Sequence, residues 1–188
     1  MITTKKELKE YLKLEKQFYG SHLFIKTLFY VENAIIWKLQ KRLRKTEFYK
    51  NTNRKIFYYL SLRWLNKLEN RYSMHIPCNC FGQGLHIMHL GPILVNGKVR
   101  VGNNCSIHIN TVLGARGTDD SVPVIGNDVV IGVGATLLGG ISIANGIAIG
   151  ANSLVNKSFM DENIAIAGIP AKKISNNGTR EWKKQKKI

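Results

Sequence analysis

The sequence predicts a mainly β chain: a parallel β-helix of six-residue repeats, preceded by an α-helical region. Three observations carry that reading. From residue 125 aliphatic side chains recur every six positions, at Ile125, Ile131, Leu137, Ile143, Ile149 and Val155. Before residue 73 glycine occurs once (Gly20) and proline never, whereas glycine is abundant afterwards. The charge shifts at the same place. Residues 1–72 hold 17 Lys/Arg against 6 Asp/Glu, residues 73–168 hold 4 against 5, and residues 169–188 hold 7 against 1. The chain therefore divides into an α-helical N-terminal region (1–72), a β-helix (73–168) and a basic C-terminal tail (169–188), which continues through Lys183–Lys187.

Leu, Lys, Glu and aromatic residues dominate the first region and suit helices. Leu28, Val31, Ile35, Ile36, Leu39 and Leu43 step by three and four, which predicts an amphipathic helix over roughly 22–45. A second is predicted over about 53–70, with Ile56, Leu60, Trp64, Leu65 and Leu68 inward and Arg54, Lys55, Arg63 and Lys67 outward. A shorter one fits residues 4–17.

The six-residue phase extends back through Leu113, Ile107, Val101 and Val95. The residue after each aliphatic is commonly small, as at Gly102, Gly114, Gly126, Gly132, Ala144 and Gly150. Phe81 and Ile87 fall out of phase by two, which predicts a small insertion around His89–Ile93. Six residues is too short for helical repeats. Three such units make one triangular coil, whose aliphatic positions stack into a continuous core. The period fixes neither the handedness nor the strand pairing.

Composition excludes several classes. A chain of 188 residues with 44% hydrophobic and 21% charged residues is globular rather than disordered. It has no apolar run near the roughly 18 residues of a spanning helix, and its first ten residues lack a secretory pattern. Three cysteines, Cys78, Cys80 and Cys105, cannot all pair, which points to a reducing cytoplasm. Cys78-Asn79-Cys80 has no second ligand pair at zinc spacing, so no metal is expected. The net charge of +16 favours anionic partners: nucleic acid, lipid headgroups or phosphorylated ligands.

Four stretches resemble a known family: GLHIMHLGPILVNGKVRVGNNCSI, TVLG followed by the irregular excursion ARGTDDSVPVIG, IGVGATLLGGISIANGIAIGANSLV, and AGIPAKKI. Together they are similar to the hexapeptide-repeat acyltransferases, over residues 74–173. Within these the match is to the serine acetyltransferase branch, and especially to its relatives in polysaccharide gene clusters. The resemblance implies a left-handed coil, acetyl-CoA as acetyl donor, and a homotrimer whose sites are shared between adjacent coils. It makes His89, just before Gly-Pro-Ile-Leu-Val, the general base that takes a hydroxyl proton. His86 and His108 also fall on the repeats and are read as surface or hydrogen-bonded residues, with lining of the same cleft as the alternative; His22 and His75 complete the set. For the donor the resemblance implies contacts near Gly114, Val133, Gly134 and Ala151, with Arg116, Lys172 and Lys173 as phosphate partners.

The departures shape the expected acceptor. Serine acetyltransferases carry an aspartate before the catalytic histidine, where Met88 stands here, and an Arg-His pair where Ser121 and Val122 stand. Both would match the charges of a free amino acid. A carboxylate expected upstream to orient the imidazole falls near Met74–His75, where none is present. A backbone carbonyl, or Asp119, Asp120 or Glu69 from this or another subunit, is left to orient it. The expectation is therefore an O-acetyltransferase acting on a sugar hydroxyl of a surface polysaccharide or a lipid-linked glycan precursor. The alternative is serine O-acetyltransferase. A third reading, a non-catalytic scaffold binding anionic partners, leaves His89 unexplained. A cytoplasmic protein is expected, with peripheral contact to anionic membrane through the basic helices at the inner face, and nucleic acid is disfavoured.

Overall fold

A computed structural model describes residues 1–179. The Lys183–Lys187 run lies outside the described residues. Four helices come first: α1 (Lys5–Lys16), α2 (Leu23–Leu28), α3 (Glu32–Asn51) and α4 (Lys55–Tyr72). Thr4 and Glu7 cap α1 reciprocally, each side chain bonding the other's backbone N–H. The predicted helix over 22–45 is two helices. Tyr30 takes a left-handed conformation (φ 53), which a bulky residue adopts rarely and which stops α2. The Val31 amide then returns to the Lys26 carbonyl at 3.0 Å. In α3 the expected stripe is buried, with Ile35, Ile36, Leu39 and Leu43 in the core. Leu28 and Val31, beyond the break, are exposed.

The expected orientation of the second helix is corrected. In α4 Leu65 is buried and Leu68 half-buried, but Ile56, Leu60 and Trp64 face outward. The side turned to α3 carries Ser61, whose hydroxyl meets that of Thr46 at 2.7 Å. Apolar residues flank that contact on both sides of α4, so periodicity did not separate the covered side from the bare one.

The coil has three faces. One sheet contains β1 (Met74–His75), β3 (Ile93–Val95), β6 (Thr111–Gly114), β9 (Thr136–Leu138) and β12 (Leu154–Val155). The second contains β4 (Arg100–Val101), β7 (Val124–Ile125) and β10 (Ser142–Ile143). The third runs β2 (His86–Ile87), β5 (Ser106–Ile107), β8 (Val130–Ile131), β11 (Ala148–Ile149), β13 (Ala165–Gly168) and β14 (Ala171–Ser175). Every pairing is parallel except β13 with β14, which folds back antiparallel. Part of the 169–188 segment thus belongs to the last rung. The whole is a left-handed parallel β-helix behind a helical cap.

Register explains the sequence phase. Ile131 stacks on Ile149, 18 residues later, which is three hexads. Ile87 pairs with Ile107, 20 residues apart, because the turn from β2 to β3 carries two extra residues. Ile107 pairs with Ile131, 24 apart, because the excursion after β6 adds a full hexad and preserves the phase. All ten in-phase aliphatics are buried. At the corners Asn104, Asp128, Asn110 and Asn152 hold left-handed backbone, the conformation that Asn and Asp accept most readily after glycine.

The first rung leaves β2 at a sheet edge, and the helices close it. Arg44, fully buried, donates to the Phe81 carbonyl at 3.0 Å and the Gly82 carbonyl at 2.6 Å. The same guanidinium pairs with Glu15 at 2.7 Å and Glu47 at 2.9 Å. Burial opposes its charge, but the two carboxylates outweigh that and push its pKa up. Glu15 also accepts from the Leu85 amide at 3.3 Å. Gln40 donates to the Leu85 carbonyl at 2.7 Å, and the Tyr19 hydroxyl accepts from the Ile87 amide at 3.2 Å.

Glu69, at the end of α4, accepts from the Ile76 amide at 3.1 Å and joins the last helix to the coil. Burial pushes its carboxyl from an ordinary 4.5 up to about 7, against the lowering effect of that bond. The folded protein therefore holds this proton more tightly than the unfolded chain. Stability falls as pH rises from about 4.5 to 7, and the whole penalty is present above 7. Glu69→Gln, which keeps an acceptor for Ile76, should raise stability at pH 8 by about 1–3 kcal/mol and change it little at pH 4. Thermal melts of both proteins across that range check the sign.

Candidate active site

His89 lies in the two-residue insertion, where the chain turns from β2 on the third face into β3 on the first. The next turns at the same corner hold His108, then Val133 and Gly134, then Ala151. Backbone bonds stack them: Asn110 N–H to the Pro92 carbonyl at 2.6 Å, Gly134 to Ile109 at 3.0 Å, and Asn152 to Val133 at 2.7 Å. One edge of the prism therefore carries His89 above three of the predicted donor-contact residues. Gly134 has φ +71, and an added Cβ would strike the Asn152 side chain, so packing of the next rung also requires glycine there.

The other predicted residues lie elsewhere on the chain. Gly114 ends β6, where the first face gives way to the second. Arg116 sits just beyond it and donates to the Asn156 carbonyl at 3.1 Å. Gly114 lines an open groove of ≈ 510 Å³ with Leu94, Val112 and Leu138. Lys172 and Lys173 are exposed on β14, and Lys173 pairs with Asp161 at 3.0 Å.

The carboxylate that reaches His89 is Glu32, which sequence reasoning missed. It opens α3, and its Oε1 accepts from the Leu90 amide at 2.9 Å while Oε2 lies 3.4 Å from His89 Nδ1. Both side chains are about half exposed. A proton on Nδ1, directed at Glu32, would leave Nε2 with the free lone pair, the tautomer a general base needs. The candidates named from sequence are engaged elsewhere: Asp120 with Lys98 at 2.8 Å, Asp119 with the Ser121 amide, and Glu69 with Ile76. One signal pointed to Glu32, because it is the single acidic residue between positions 16 and 46.

The remaining histidines and cysteines fall into place. His86 stacks on Phe18 with ring centroids 4.4 Å apart, beneath the helical cap. The His108 ring centroid is 6.2 Å from that of His89, so His108 forms the next step of the site's wall. Burial pushes the Cys78 and Cys105 thiols up to about 12 and Cys80 to about 11, which leaves them poor nucleophiles. Among the described residues no cluster of His, Cys, Asp and Glu could hold a metal ion, and no helix is long and apolar enough to cross a membrane.

Comparison with known proteins adds the context of relatives. No family model matches the chain. Over 132 residues, 68% of this chain, it is 33% identical to a serine acetyltransferase of Buchnera aphidicola subsp. Acyrthosiphon pisum, of which it covers 48%. The chain spans about half the length of the curated relatives it matches first. A shorter match, 45% identical over 71 residues, covers 37% of this chain and 36% of WbbJ of Escherichia coli (strain K12), named for lipopolysaccharide biosynthesis O-acetyl transfer. Among solved structures, serine acetyltransferase from Brucella abortus strain S19 superposes with a TM-score of 0.74 and 27% identity, over 92% of this chain and 71% of that one.

These matches overturn the expectation of a polysaccharide acceptor. The relatives that align along most of the chain are serine acetyltransferases, and the polysaccharide-type match is confined to little more than a third. The sequence argument rested on the missing charges at Met88, Ser121 and Val122, three positions that weigh less than similarity along two thirds of the chain. By sequence and by architecture the chain is similar to serine acetyltransferases, and it carries the hexapeptide-repeat acetyltransferase fold.

Proposed function

We propose that this protein is an acetyl-CoA-dependent serine O-acetyltransferase with His89 as general base. The observation that carries the reading is the Glu32–His89 pair at a coil corner, in a chain whose relatives along two thirds of its length are serine acetyltransferases. The Brucella structure has also been solved in complex with coenzyme A. Residues of the coil suit such a donor. The open groove beside Gly114, largely aliphatic in its lining, offers a surface for a pantetheine arm, and the exposed Arg116 beyond it offers a cation to phosphate.

Acetyl-CoA supplies an acyl group already activated as a thioester. The chain's own residues handle the proton. His89 Nε2 takes it from the acceptor hydroxyl as that oxygen bonds to the acyl carbon. Glu32 holds Nδ1–H and stabilises the imidazolium that results. As the carbon–sulfur bond breaks, the imidazolium returns the proton to the sulfur, so base and acid are regenerated in one turnover. Glu32 acts through His89 and is a positioning residue.

A shared site explains the separation of the predicted residues. His89, Val133, Gly134 and Ala151 occupy one corner of the prism, and Gly114 and Arg116 the next. In a homotrimer the corner bearing His89 on one copy would face the Gly114 corner of its neighbour, which makes trimer assembly part of the proposal. The protein is read as working in the cytoplasm.

Purified protein with acetyl-CoA and millimolar L-serine should form O-acetylserine with one free thiol per product. His89→Ala should lower turnover by roughly 10²–10⁴-fold, the usual worth of a general base, while binding coenzyme A normally. Product at the uncatalysed rate from wild-type protein, or full activity in the folded variant, would defeat the reading.

Glu32→Gln separates orientation from folding. The pair is half exposed, so its loss should cost at most about 1 kcal/mol of stability and move Tm by only a few degrees. Turnover should nevertheless fall roughly 10–100-fold, less than a buried triad aspartate is worth, with KM for acetyl-CoA unchanged and partial rescue by Glu32→Asp. A rise in KM with kcat intact would assign Glu32 to substrate binding instead.

A further inference from the structure

The helical cap exposes apolar surface that the site does not use. Helix α2 turns Phe24 (80% exposed), Ile25, Leu28 and Phe29 (76%) to solvent, with Tyr30 beyond its end. Left-handed residues, His22 and Tyr30, bound it on either side and set it off from α1 and α3 as a short raised element. Phe24 and Leu28 line an open groove of ≈ 630 Å³ together with Lys16, Lys38 and Lys41.

Those lysines belong to a larger cationic cluster. Lys41 loses part of its hydration and also feels Lys45, Arg42, Lys16 and Lys38, and both effects lower its pKa. None of the five is in an ion pair among the described residues. The surface therefore combines an unneutralised positive patch with an exposed apolar helix. Cations with long aliphatic stems and adjoining aromatic and aliphatic tips suit an interface that is anionic outside and apolar beneath.

We propose that α2 and the adjoining lysine cluster form a docking surface for an anionic lipid bilayer. The lysines meet headgroup phosphates while Phe24, Ile25, Leu28 and Phe29 enter the headgroup–acyl boundary. Charge disfavours the same face of a second copy, since region 1–72 carries 17 basic against 6 acidic residues and two such faces would repel. Adjacent exposed Phe24, Ile25, Leu28 and Phe29 side chains suit an acyl boundary better than a phosphate backbone, which disfavours nucleic acid. A helix of six residues inserts shallowly, so the attachment is weak, reversible and salt-sensitive. Such docking would hold the Glu32–His89 corner close to the membrane, because α3 begins four residues after α2 ends.

Co-sedimentation of the full chain with phosphatidylcholine vesicles, with and without phosphatidylglycerol, tests this directly. Binding should appear with the anionic vesicles at low ionic strength, disappear at high salt, and be absent with the neutral ones. Phe24→Ser/Leu28→Ser should weaken it roughly tenfold without changing charge, and Lys38→Ala/Lys41→Ala should do so by a comparable factor. None of the four residues bonds or pairs with Glu32 or His89, so thioester consumption by both variants should match wild type. Three results would overturn the proposal: no binding to anionic vesicles at low salt, equal binding to both compositions, or tighter binding to a random-sequence oligonucleotide than to the anionic vesicles. A fourth is a lower particle mass by light scattering in Phe24→Ser/Leu28→Ser with vesicle binding intact, which would make this face a contact between copies.

Discussion

A parallel β-helix must end, and its first rung offers backbone N–H and C=O groups with no further strand to bond them. Here the problem is solved by side chains from a helical cap. Arg44 takes the Phe81 and Gly82 carbonyls, Glu15 and Gln40 bracket Leu85, and Tyr19 meets Ile87. The cost is a buried cation, compensated by two buried carboxylates on it. An isolated buried charge is strongly unfavourable, and a fully bonded one is tolerated. The network is accordingly all-or-none: loss of one member strands the others in a dry interior. It also fixes the helices against the coil at a defined height and rotation.

That fixed placement is what assembles the candidate site. Helix α3 supplies both Arg44, at the coil edge, and Glu32, its first residue, at the corner bearing His89. Their separation of twelve positions makes a rigid lever of about 18 Å at 1.5 Å per residue. The turn at Tyr30 frees the start of α3 from α2, so that Glu32 reaches His89 and the Leu90 amide together. A carboxylate at the first turn of a helix also suits its dipole. The helical region thus builds part of the candidate site as well as closing the fold.

Much of this was legible in the sequence. The hexad aliphatics identify the core of every rung, and the phase slip at Phe81 and Ile87 marks the turn that holds His89. Both survive because the coil repeats one local solution, in which each aliphatic meets its counterpart in the next rung. The helical region was less legible. Tyr30 breaks a good apolar period by backbone conformation alone, and α4 has apolar residues on covered and bare sides alike. Glu32 is 57 positions from His89, and no spacing rule links a helix start to a turn of a coil. The acceptor was misread because three local departures, Met88, Ser121 and Val122, were weighed above similarity along most of the chain.

The account stands on the claim that Glu32 holds Nδ1–H of His89 and leaves Nε2 bare as the base. Long-range proton–nitrogen correlation of the His89 imidazole, above the pH at which it deprotonates, reads the tautomer directly. Protonated Nδ1 with unprotonated Nε2 in the wild-type protein is the predicted result, with the preference lost in Glu32→Gln. A wild-type ring protonated at Nε2, or divided between the two forms as in free imidazole, would contradict it.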